Sequence, residues 1–82
     1  MKIIFDPNPF TADTTGALIS TAIVKSDDET ETYFTEHIRI EASEFTDAAS
    51  LQAAVANHVA GFQERVDAIL KAKEMAKVEV II

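Results

Sequence analysis

The sequence predicts an α+β fold: a three- or four-stranded, mostly antiparallel sheet with one long helix packed on one face, in the order β-β-β-α-β. Three observations predict it. Apolar residues recur at helical spacing over residues 46–75. The residues before them contain short β-rich runs separated by polar turns, and a β-branched run at residues 78–82 predicts a closing strand. The length of 82 residues allows one hydrophobic core, so residues 1–82 are expected to form a single domain.

The predicted helix extends from Thr46 to about Met75 and carries one apolar stripe typical of a helix that lies on a sheet. Its members are Leu51, Val55, Val59, Phe62, Val66 and Ile69, with Ala48 and Leu70 at the edges. Thr46 is the expected N-cap, because its hydroxyl can accept a hydrogen bond from a free amide of the first turn. Gly61 could end a first helix, but the stripe continues through it in phase. This favours one continuous helix.

The opposite side of the helix carries a row of small residues, called here the alanine seam: Ala49, Ala53, Ala56 and Ala60. Small side chains at this spacing would let another helix approach closely, for example from a second copy of the chain. Alanine is also the best helix former at an exposed position. The seam is therefore consistent with solvent as well as with a helix–helix contact.

Strand one is predicted at residues 2–5 and should end at Asp6-Pro7-Asn8-Pro9, because proline fixes φ and donates no hydrogen bond. The loop that follows is expected to be a rigid connector. Strand two (residues 17–25) and strand three (residues 30–40) flank the polar turn at residues 26–29. This arrangement predicts an antiparallel hairpin.

The two hairpin strands differ in their apolar pattern. Strand three alternates, with Phe34, Ile38 and Ile40 expected to face the helix, Glu36 interrupting them, and Tyr33, Thr35, His37 and Arg39 on the other face. Strand two has apolar residues on both faces, and one helix covers only one face of a sheet. We therefore expect the second face to meet a partner. The predicted interaction surface consists of Ile19, Ile23 and Tyr33 together with the alanine seam.

The net charge is −7, and nine of the 14 acidic residues lie in residues 1–45 with only three basic ones. Direct binding of nucleic acid or of an anionic membrane is not expected, since both need clustered Lys and Arg. The densest group of acids is called here the acidic patch: Asp27, Asp28, Glu29 and Glu31. The patch could serve solubility alone, or it could present carboxylates to a basic partner.

No motif in the chain points to catalysis. There is no cysteine, which excludes disulfides and thiolate sites. The two histidines, His37 and His58, show no metal-binding spacing, and the serines lie in no nucleophile motif. We expect neither metal nor cofactor, and no enzyme activity. With no signal peptide and no apolar run of membrane-spanning length, a cytoplasmic location is expected.

The sequence therefore favours a non-catalytic protein–protein interaction or assembly module that self-associates as a homodimer or larger homo-oligomer. Compact, motif-free chains of this kind are common among phage and bacterial accessory proteins. One alternative is an acidic regulator or inhibitor that presents the acidic patch to a basic surface, in the manner of a nucleic-acid mimic. The other is a small enzyme or ligand-binding protein with a pocket between the helix and the proline segment.

Overall fold

A computed structural model describes residues 1–76 of the chain. Within them, β1 (Lys2–Ala12), β2 (Leu18–Lys25) and β3 (Thr32–Ile40) form an antiparallel sheet with β2 in the centre. A short 3-10 turn precedes α1 (Ala48–Val59) and α2 (Phe62–Met75). The predicted α+β class and the antiparallel hairpin are confirmed, and the order of elements over residues 1–76 is β-β-β-α. The strand predicted at residues 78–82 lies outside the described residues.

The segments α1 and α2 form one long helix with a bend. Ala60 and Gly61, which join them, both have right-handed helical dihedrals. The Arg65 amide donates to the Gly61 carbonyl at 3.3 Å, so helical hydrogen bonding resumes at once. The prediction of a single helix through Gly61 is confirmed, with the bend at residues 60–61.

The helix begins one residue later than predicted, because Asp47 and not Thr46 is the N-cap. The Asp47 carboxylate accepts a hydrogen bond from the Ser50 amide at 2.8 Å, and the Ser50 hydroxyl accepts one from the Asp47 amide at 3.0 Å. Aspartate is a better N-cap than threonine. The reciprocal pair also satisfies two backbone donors together, which a Thr46 cap would not do here.

The strand β1 continues past both prolines, so the prediction that they end it is wrong. It pairs with β2 up to Asp6 and again at Thr11 and Ala12. Residues 7–10 form an arch that leaves the ladder opposite Ser20, where the prolines have no ladder bond to donate. Because β1 is also an edge strand, it tolerates proline better than a central strand would. Part of the predicted connector is therefore strand.

The core lies between the helix and one face of the sheet. Its buried apolar members are Ala22, Val24, Ile38, Ile40, Ala54, Phe62 and Val66. Leu51, Val55 and Val59 pack against this cluster but stay partly exposed, and Leu70, predicted at the stripe edge, is 41% exposed. The helix is about 42 Å long whereas β2 is about 27 Å long, so the helix overhangs the sheet. The radius of gyration is accordingly 16.3 Å, against about 12 Å for a compact domain of this length.

An aromatic contact at β3 fixes the position of the helix. The rings of Phe34 and Phe62 meet edge to face, with centroids 5.2 Å apart and planes at 86°. The Arg65 guanidinium lies 3.9 Å from the Phe34 centroid and donates to Glu36 at 2.7 Å. This ion pair explains how Glu36, a charged residue among the helix-facing positions of β3, is accommodated.

Candidate interaction surfaces

The sheet face turned away from the helix, called here the outer face, is the first candidate surface. The strand register places Ile4, Ile23 and Thr35 in one row across it, then Asp6, Thr21 and His37, then Thr11, Ile19 and Arg39. Ile4 and Ile23 are half-buried, and Ile19 is 38% exposed. Ile19 and Ile23 thus lie where the sequence places them, and their role in binding stays a prediction. Ile4 also lies on the outer face, but the predicted surface omits it. The signal available in the sequence was the alternation of side chains along the strand, which places Ile4 on the face opposite to Ile3 and Phe5.

The arch in β1 leaves a depression in the outer face. Phe10, within the arch, turns to the helix side and packs on Phe5 with ring centroids 5.1 Å apart. The Ser20 hydroxyl donates to the Pro7 carbonyl at 2.8 Å and holds the arch in place. The depression has a volume of about 310 Å³ and is lined by Pro7, Thr11, Ile19, Ser20, Thr21 and His37. It is wide enough to accept an apolar side chain from outside.

Tyr33 does not belong to the outer face, contrary to the predicted surface. Its ring packs against the core cluster, and Lys73 Nζ of α2 lies 5.6 Å from the ring centroid. In the pairing of β2 with β3, Val24 lies opposite Phe34, but the next residue of β2, Lys25, lies opposite Thr32. Tyr33 is therefore skipped. A shift of this kind breaks the alternation of side chains between faces, which is why the sequence pattern misplaced this residue.

The alanine seam is the second candidate surface. All four of its residues are exposed, and the buried alanine of α1 is Ala54, which the predicted stripe does not include. The seam therefore faces away from the core. Its exposure is consistent with a second helix or with solvent, and its methyl groups offer no polar contact that would distinguish the two.

The acidic patch is largely used within the hairpin. Three of its acids form ion pairs inside the chain: Asp27 with the Met1 amino group, Glu29 with Lys2, and Glu31 with Lys73. Asp28 accepts hydrogen bonds from the hydroxyls of Ser26 and Thr30 at 2.7 and 2.8 Å, and these bonds lower its pKa to about 2. The patch thus stabilises the turn, and less of its charge is left for a partner.

A second polar network closes the connection between β1 and β2. The Asp13 carboxylate accepts hydrogen bonds from the Thr15 hydroxyl at 2.6 Å and the Ala17 amide at 3.1 Å, and it pairs with Arg39 at 2.6 Å. These contacts, chiefly the one from Thr15, lower the pKa of Asp13 to about 2. Gly16 supplies the positive φ of 84° that the turn requires. The network is a structural lock on the loop.

The histidines are held apart. His37 Nδ1 lies 3.2 Å from the Thr21 hydroxyl on the outer face, whereas His58 Nε2 lies 3.1 Å from Glu44 Oε1 beside the helix. The hydrogen bond from the Glu41 amide, and then the contact with His58, lower the pKa of Glu44.

Within residues 1–76 no three His, Asp or Glu side chains are grouped to hold a metal ion. In the same part of the chain no helix is both long and apolar enough to span a membrane.

Comparison of the chain with models of known protein families, with curated proteins and with solved structures finds no match.

Proposed function

We propose that this protein is a non-catalytic assembly module that self-associates reversibly. The outer face of the sheet carries this proposal. An antiparallel sheet with one face in water usually places polar residues there, but this face displays Ile4, Ile19 and Ile23. Ile4 and Ile23 are neighbours in one row, whereas Ile19 lies two rows away, beyond the row of Asp6, Thr21 and His37. Apolar residues on such an uncovered face mark a candidate protein–protein contact.

A second copy of the chain is the partner we propose. A domain of this size buries only about 60–65% of its unfolded surface and gains stability by association. Its accessible surface is 5826 Å², about a fifth more than the roughly 4,900 Å² expected for a compact chain of this mass. Twofold homodimers are the commonest oligomers. The overhanging helix and the outer face together supply surface for such a contact.

The two alternatives have weaker support. An acidic regulator needs free carboxylates on one face, and the acids of the hairpin turn are already engaged with Lys2, Lys73 and the Met1 amino group. A ligand-binding protein needs convergent polar groups in a concave site. The depression described above lies on the outer face and not between helix and arch, and its polar side chains are hydroxyls and one imidazole.

Light scattering on a sizing column, over a hundredfold range of concentration, tests the proposal. We expect a dimer that dissociates on dilution. Ile19→Glu should abolish it, whereas Leu70→Glu should not, and this control is well matched because the two residues are 38% and 41% exposed. Ala56→Glu tests the alanine seam separately. A wild-type chain that stays monomeric throughout would refute self-association, and circular dichroism verifies that each variant is folded.

A further inference from the structure

We infer that two copies of the chain pair through their outer faces, with the twofold axis between the sheets and parallel to β2. This inference rests on the proposed self-association, and it adds the surface, the orientation and the polar contact that sets the register. The contact joins Asp6 of each copy to His37 of the other.

Asp6 and His37 lie in one row of the outer face, on either side of Thr21. Both side chains are exposed. With β2 between them they are about 10 Å apart, at roughly 4.8 Å per strand, so they cannot form an ion pair within one copy. The row therefore presents an acid at one edge and an imidazole at the other.

The symmetry of the proposed dimer brings these groups together. A twofold axis parallel to β2 lays β1 of one copy over β3 of the other and keeps every row in register. Asp6 then faces His37 of the second copy, and the contact occurs twice. An axis perpendicular to the strands and passing through this row would instead place Asp6 on Asp6, which opposes two carboxylates. Because the axis runs along the strands and not across them, the two sheets pack in the aligned manner common for sandwiches.

The apolar residues fit the same axis. Ile19 and Ile23 lie on the central strand, so each meets its own equivalent across the axis. Ile19 also borders the depression, so the contact between the two Ile19 side chains lies beside the depression of each copy. Lys25, at the end of the same strand, also meets its equivalent, and its long side chain lets the ammonium group reach solvent.

The size of the face predicts a weak dimer. From the length of β2 and the spacing of three strands, the outer face covers roughly 400 Å² per copy. A standard interface buries about 800 Å² on each partner. The dimer should therefore dissociate on dilution, which is the behaviour that reversible assembly needs.

Charge substitutions in the Asp6–His37 row test this arrangement by equilibrium sedimentation. His37→Asp should raise the dissociation constant about tenfold, since it creates two like-charge contacts, and His37→Lys should lower it about threefold at low salt. Adding Asp6→Lys to His37→Asp should restore wild-type affinity to within about threefold. Gln52→Glu, which adds an acid on an exposed helical position, is the control for net charge and should have no effect.

The outcomes separate the two proposals. A wild-type chain that is monomeric at every concentration overturns self-association and this inference with it. A wild-type dimer that Ile19→Glu leaves intact, or in which Asp6→Lys fails to rescue His37→Asp, overturns the outer-face arrangement alone. Weakening by His37→Asp with full rescue in the charge-swapped double variant supports it, because misfolding would not be repaired by a second substitution on another strand.

Discussion

Replacing Phe62 by alanine removes the side chain that anchors the helix to β3. Phe62 is 2% exposed, and its ring meets that of Phe34 edge to face. Truncation of a buried phenylalanine costs about 3–5 kcal/mol, and the lost aromatic pair contributes about 0.5–1.5 kcal/mol of this. A domain of this length has a free energy of unfolding on the order of 4–12 kcal/mol. The variant should therefore lose a large share of its stability.

Urea denaturation followed by far-ultraviolet circular dichroism measures the loss. The experiment should be run at low protein concentration, since dimerisation would add to apparent stability. Leu70→Ala is the control: at 41% exposed, it should cost less than about 1 kcal/mol. If Phe62→Ala costs no more than Leu70→Ala, the helix does not dock through Phe62, and the packing described above is incorrect.

Three further predictions concern the bend, the edge of the core and the acid limit of stability. Gly61→Ala should stabilise the fold by about 0.5–1 kcal/mol in urea denaturation, since an added Cβ meets nothing within 4 Å; destabilisation would mean that the bend needs glycine. Arg65→Met keeps the aliphatic stem but removes the charge above Phe34, and should cost about 0.5–1.5 kcal/mol by the same method; an unchanged midpoint would show that the cation contributes nothing. The pKa values of Asp13 and Asp28 lie at about 2, below the usual 3.8, so their stabilising contribution is complete above about pH 4 and lost as the pH falls through 2. The melting temperature of Asp13→Asn/Asp28→Asn should fall less than that of the wild type across this window, and parallel curves would contradict the assignment.

The helix and the hairpin were predictable because each follows from local chemistry. The stripe through Phe62 and Val66 has the helical period whatever lies beneath it, and a polar turn between two β-rich runs leaves few alternatives to a hairpin. The bend at Gly61 was less clear, since a glycine there is compatible with a break or with continuation. Dihedrals of the folded chain were needed to decide between them.

The course of β1 could not be predicted from the prolines alone. A proline is excluded from a ladder only where a neighbouring strand needs its amide, and that depends on which strand becomes the edge. The predicted face of Tyr33 was wrong for a related reason. The register shift beside this residue is a property of two paired strands, and the alternation of one strand does not reveal it.

The outer face likewise contains residues that the sequence predicts and a row that it does not. The isoleucines Ile19 and Ile23 were predicted from one strand, because apolar residues on both sides of it already imply two covered faces. The row that joins Asp6 to His37 was not, since three strands from distant parts of the chain must pair before these residues become neighbours. The depression beside Ile19 likewise exists only because the arch turns to the helix side.

Sequence patterns alone predict the α+β class, the helix with its apolar stripe, the hairpin and the presence of apolar residues on both sides of β2. These features depend on periodicity and turn chemistry, which act over a few residues. The folded chain was needed to find the arch in β1, the place of Tyr33, the internal pairing of the acidic patch and the rows of the outer face. Each of these depends on the register between strands or on the position of the helix over the sheet, and both are set only when distant parts of the chain pack together.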